Sequence, residues 1–193
     1  MPADRSDLAR RKAAATEKDT TRGLNYNTLF ALAREVLGDD VPRAIDPQRK
    51  GSRVDFFSYP IAEYLDVAWD AADRLEARFG SIDGVWFELG RRTVTGFLSS
   101  MLGRTIFSIA GHDPRRFIAT GPSGYKAAVS YGERGVEWLG DHRARMTFRR
   151  DFMPAAFHRG VILTGLEASD AKAPRVEARE LGFMDSEYDV RWD

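Results

Sequence analysis

The stretch Gly135–Ala168, "GVEWLGDHRARMTFRRDFMPAAFHRGVILTGLEA", contains two short alternating runs, a glycine-centred break between them, and a proline that opens an apolar helical pattern. Val136 and Trp138 in one run and Met146 and Phe148 in the other recur with period two. Gly140-Asp141-His142 separates them, which is the pattern of a β-hairpin. After Pro154, the residues Ala156, Phe157, Gly160, Val161, Leu163 and Leu166 fall at helical spacing. Downstream, "PRVEARELGF" and "SEYDVRW" alternate again, with Tyr188, Val190 and Trp192 on one face. The C-terminal third therefore reads strand, strand, helix, strand, strand.

Upstream the pattern is helical. Leu24, Leu29, Phe30, Ala33, Val36 and Leu37 form one stripe that ends at Gly38. A polar loop with two prolines, "DDVPRAIDPQRKGSRVDF", leaves room for a short helical turn. Pro60 then begins the strongest amphipathic stretch, carrying Ile61, Tyr64, Leu65, Ala68, Trp69, Ala72, Leu75 and Phe79. Ser81 is a cap for a helix through Val85, Trp86, Leu89, Val94, Phe97, Leu98 and Leu102, with a break near Gly103. "RTIFSIAG" reads as a short apolar helix, Asp113-Pro114 starts another, and "PSGYKAAVSYG" one more, with "GPSG" as a turn between them. Residues 1–21 are charged and alanine-rich, which predicts a frayed helix or a disordered stretch, in either case a flexible leader outside the core. The expectation is one α+β domain over residues 22–193, with a helical part at 22–131 and an antiparallel sheet part at 132–193.

Composition narrows the function classes. The chain has 193 residues, 43% of them hydrophobic and 30% charged, enough for a soluble domain with its own core. Lys+Arg and Asp+Glu both number 29, so no overall field favours nucleic acid or an anionic membrane. There is no cysteine, which removes disulfides, thiolate nucleophiles and thiolate metal sites, and only three histidines, His112, His142 and His158, so no metal site is expected. No apolar run is long enough to cross a membrane and no signal segment opens the sequence, so the expected location is cytoplasmic.

Standard catalytic and phosphate-binding signatures are absent, and no catalytic residue is assigned. Asp151 and His158 lie seven apart; on one helix they would share a face two turns apart without touching. The candidate ligand-binding residues are Tyr59, Tyr125 and Tyr131, at element edges where a hydroxyl can line a pocket, with Arg149, Arg150 and His158 around the Pro154 corner.

The segments "RGLNYNTLFALAREVLG", "FFSYPIAEYLDVAWDAADRL", "GYKAAVSYGERGVEWLG", "FRRDFMPAAFHRGVI" and "LGFMDSEYDVRW" resemble an uncharacterised paralogous domain family expanded in myxobacteria, across about residues 20 to 193. That resemblance implies a fold and no activity. In element order the chain is also similar to haem nitric-oxide-binding domains. The similarity implies a proximal histidine on the helix reading "PSGYKAAVSYG", which has none, leaving Tyr125 nearest. It implies a Y-x-S-x-R propionate clamp where this chain has Phe148, Arg150 and Phe152. Haem is therefore not expected as a cofactor. The expected function is a non-enzymatic sensory or adaptor module, with a small apolar or anionic ligand, or none, between helices and sheet. The alternative is a protein-interaction or scaffold domain with a packed interior, acting as a homodimer or on a signalling protein and exposing Trp86, Trp138 or Trp192. An enzyme would need Asp151, His158 and an arginine to converge in one cleft.

Overall fold

A computed structural model describes residues 4–48, 51–99 and 112–193. The helical part comprises α1 (Arg5–Ala14), α2 (Gly23–Leu37), α3 (Val41–Ile45), α4 (Ile61–Phe79), α5 (Ile82–Ser99) and α6 (Pro114–Ala128), with β1 (Thr20–Arg22) paired antiparallel to β2 (Ser58–Pro60). The sheet part runs β3 (Glu133–Gly140), β4 (Arg143–Arg149), α7 (Ala155–Ala168), β5 (Arg175–Gly182) and β6 (Asp185–Arg191). Its strands lie antiparallel in the order β3-β4-β6-β5. The α+β arrangement expected from the alternating runs is the one observed.

Several local signals act as read. Gly38 ends α2 at φ 111°, a conformation L residues avoid. Ser81 Oγ accepts the Gly84 amide 3.0 Å away at the start of α5, and Asp113 caps α6 by accepting from the Arg115 amide at 2.9 Å.

α7 divides two cores. Phe157 packs with Tyr26, Leu65, Trp69, Trp86 and Leu89 of the helical part, while Ile162 and Leu166 pack under the sheet with Met146, Phe148, Tyr188 and Val190. The crossing of α5 and α7 is close because two glycines face it. A Cβ on Gly90 would lie 2.0 Å from the Phe157 carbonyl oxygen, and one on Gly160 would lie 2.1 Å from that of Phe87. Only a residue without a side chain fits at either position.

Two expectations are corrected. Within the expected leader over residues 1–21, the described residues from 4 onward are not outside the core: α1 folds from Arg5 and contributes Leu8, while Thr20–Arg22 pair with Ser58–Pro60. The segment makes up for its poor apolar content with directed polar contacts, including Arg11 on the carbonyls of Asp151 and Phe152 at 3.3 and 3.2 Å. Nor is "GPSG" a turn between two helices, because Pro114–Ala128 is one helix with Pro122 inside it. The expected break near Gly103 and the helix over "RTIFSIAG" lie outside the described residues.

Candidate functional site

The junction between helices and sheet is built at the exit of β4. Arg150 takes φ 49°, a left-handed backbone that non-glycine residues rarely adopt. Its amide donates to Asp185 Oδ1 at 2.9 Å, and the Asp151 amide donates to the Met184 carbonyl at 2.8 Å. The reversal carries Asp151 off the strand and into the interior before α7 begins.

Four polar side chains meet there. Asp151 Oδ1 accepts the Met153 amide at 3.0 Å, while Oδ2 is ion-paired with Arg134 Nη2. His158 Nε2 lies 2.9 Å from Asp151 Oδ1 but off the N–H axis, so this contact is electrostatic rather than a directed hydrogen bond. On the other side of the ring, Nδ1 is 2.9 Å from the Tyr125 hydroxyl. The side chains of Arg134, Asp151 and His158 are each only 2% exposed. Tyr125 is half-buried, with its hydroxyl directed inward onto the buried histidine. Aromatic rings enclose the chain: Phe148 lies 4.7 Å from His158 and 5.0 Å from both Tyr125 and Tyr188.

This environment sets the charges. Burial alone would raise the Asp151 carboxyl, but His158 and Arg134 outweigh it and hold it at about 2. Tyr125 and Tyr131 are pushed well above the usual phenol range, first by burial and then by the Asp151 charge. The phenols therefore stay neutral, and the carboxylate stays ionised between a guanidinium and an imidazole. What results is a polarised chain, Arg134–Asp151–His158–Tyr125, closed at one end by Arg134 Nη1 donating to the Tyr131 carbonyl at 2.5 Å.

Of the residues singled out from sequence, Tyr125, Tyr131 and His158 come together here. Tyr59 does not: it lies in β2, its hydroxyl accepting from the Val54 amide at 3.1 Å and its ring 5.6 Å from Tyr26. Arg149 and Arg150 point outward, Arg149 to Asp185 at 2.8 Å and Arg150 to both Asp19 carboxylate oxygens at 2.7 Å. Asp151 and His158 do not share a helix, the one condition that would have kept them two turns apart: Asp151 precedes α7, and the corner folds it back onto the histidine. Arg134 was missed, although β3 carried its signal. The alternation through Val136 and Trp138 puts Arg134 on the same face, opposite Phe148, and an inward arginine requires a buried acid.

Of the three tryptophans whose exposure would favour an interaction domain, Trp86 and Trp192 are buried and Trp138 is 36% exposed. Among the described residues no helix is long and apolar enough to cross a membrane.

A family model described as "Protein of unknown function (DUF2378)" matches residues 14–193. The chain belongs to that family. None of the curated proteins matches the DUF2378 chain in sequence. Solved structures give it a fold. It is similar to an Fe(II) unliganded H-NOX protein mutant from K. algicida, with a TM-score of 0.67 at 15% identity over 89% of this chain and 96% of that one. A triple mutant of an H-NOX protein from S. oneidensis in the Fe(II) ligation state gives 0.70 at 13% identity over 89% and 96%. The S. oneidensis protein in the Fe(II)NO ligation state gives 0.68 at 12% identity over 89% and 99%. The DUF2378 chain thus has an H-NOX-like fold.

Proposed function

We propose that this DUF2378 protein is a non-enzymatic sensory or adaptor module that keeps the H-NOX shell without haem. The observation that carries the reading is the buried chain Arg134–Asp151–His158–Tyr125. A haem needs an axial donor and free donors for its propionates. At this junction the imidazole is hydrogen-bonded to the tyrosine hydroxyl through Nδ1 and faces the Asp151 carboxylate with Nε2, the tyrosine hydroxyl is committed to the imidazole, and the guanidinium and carboxylate neutralise each other. The residues present do not fit the group. Phe148 and Phe152, at two of the three expected clamp positions, are fully buried hydrocarbon, and Arg150, at the third, faces Asp19 outside the junction.

The same burial argues against catalysis. Asp151, His158 and an arginine do converge, as an enzyme would require, but side chains 2% exposed offer no reacting atom to a substrate.

The test is visible absorption and iron analysis of the protein purified from haem-supplemented cells. The expected outcome is no Soret band and sub-stoichiometric iron; a Soret band with one iron per chain would sink the reading.

A second reading, a protein-interaction domain, is favoured by the loop before β2. Val54, Phe56 and Phe57 are 54, 70 and 64% exposed, yet their backbone is pinned. The Gly23 and Leu24 amides donate to the carbonyls of Phe57 and Asp55 at 2.9 and 3.0 Å. Two aromatics held rigidly toward solvent suit a contact surface. Sedimentation of the parent and of Phe56→Ser/Phe57→Ser separates the cases: self-association abolished by the double change supports a homodimer, and a monomer in both discards it.

A further inference from the structure

The outer face of the sheet carries a pairing that antiparallel strands normally avoid. Arg143 of β4 stands opposite Arg191 of β6, and Arg191 stands opposite Arg175 of β5. Cross-strand partners project from the same face, and the next row, Ala144–Val190–Val176, is buried, so all three arginines point to solvent. Three like charges directly opposite one another are unfavourable unless something neutralises them.

The protein supplies part of that neutralisation. Asp189, one row along on the same face, accepts from Arg143 at 2.5 and 3.1 Å and from Arg191 at 2.8 and 3.1 Å. Hydrogen bonds from Arg191 and Arg143 hold its carboxyl far below the usual range. One carboxylate thus serves two guanidiniums. Among the described residues Arg175 makes no ion pair, although Glu177 and Asp189 share its face. At this edge the three arginines line a cavity of about 270 Å³ together with His142, Ala173, Trp192 and Asp193. Its wall is rigid: the Trp192 amide donates to the His142 carbonyl at 3.1 Å, the Asp193 amide to the Lys172 carbonyl at 2.8 Å, and the Trp192 ring lies 5.9 Å from that of His142.

We infer that this cavity is an anion site for a phosphate-bearing small molecule, with Arg175 and Arg191 as the recognising pair. Guanidinium forks match phosphate oxygens two at a time, and Arg175 brings to the cavity a fork that no carboxylate among the described residues holds. Carboxylates are the weaker fit, because Asp193 and Asp189 already stand beside the arginines and a phosphate spreads more charge over more acceptors. The site lies on the face of the sheet opposite the buried chain and does not depend on the haem-free reading.

The experiment is calorimetric titration of the full chain with inorganic pyrophosphate at constant ionic strength, repeated for Arg175→Gln and Arg179→Gln. Arg179 makes the same change of charge on the same face but pairs with Glu187 at 2.9 Å, away from the cavity. The expected result is saturable binding that weakens about tenfold or more in Arg175→Gln, the loss of one charge-assisted contact, and stays as in the parent in Arg179→Gln. Absence of saturable heat, or equal weakening by both changes, would overturn the assignment. Both arginines are exposed, and a matching urea midpoint for each variant establishes that it folds.

Discussion

At the scale of single residues, Asp151 decides the interior. Among the described residues it is the one acid ion-paired with both Arg134 and His158, and none of the three has water to fall back on. A buried pair adds little net stability over an apolar substitute, but removing one partner strands the other. Asp151→Asn is therefore expected to cost about 3–5 kcal/mol in urea unfolding, because the amide cannot balance the Arg134 charge. A loss within the ordinary range of a surface change would show that water reaches the cluster. This residue also marks where sequence reading stopped. Asp151 and His158 were both visible as chemistry-bearing groups, but their contact depends on the left-handed turn at Arg150, and an arginine carries no signal for positive φ.

At the scale of elements, the alternating runs and capping residues were readable because period and cap act locally. The hairpin, the Pro154 helix, the closing strands and the Gly38 stop could all be located from them. α1 and α6 depart from the local reading for a common reason: tertiary contacts override local propensity. α6 continues through Gly121-Pro122, residues that normally end helices, and α1 folds from a segment with little to bury. α1 is fastened by Arg150, which grips Asp19 and donates to the Ala14 carbonyl at 3.0 Å, and by Arg11, Arg5 and Lys12 on partners elsewhere. Arg150→Gly separates the two jobs of that residue. Glycine accepts the left-handed backbone, relieving about 1 kcal/mol of strain, while the grip on Asp19 is lost. The expected outcome is amide exchange over residues 5–22 roughly fivefold faster, with α4, α7 and the sheet unchanged. Unaltered exchange over 5–22 would mean that Arg150 does not fasten α1.

At the scale of the whole molecule, the same groups set how the fold responds to acid. Asp151 titrates near 3.8 when unfolded and at about 2 when folded; Asp19 is likewise held at about 2, chiefly by its hydrogen bond from Arg150. A carboxyl lowered in the folded state binds its proton more readily in the unfolded chain, so protonation favours unfolding. Its stabilisation is complete above about pH 4 and disappears as the pH falls through about 2. For Asp151 this is on the order of 2 kcal/mol, acting on the global equilibrium because the group lies between both cores. Asp151→Asn lacks that titration. Urea midpoints should therefore fall more steeply between about pH 4 and 2 in the parent than in the variant, so that two curves well separated at neutral pH approach each other in acid. Parallel curves would mean that the Asp151 carboxylate is not selectively stabilised by folding. The Arg134–His158 surroundings would then have to be balanced by some other charge.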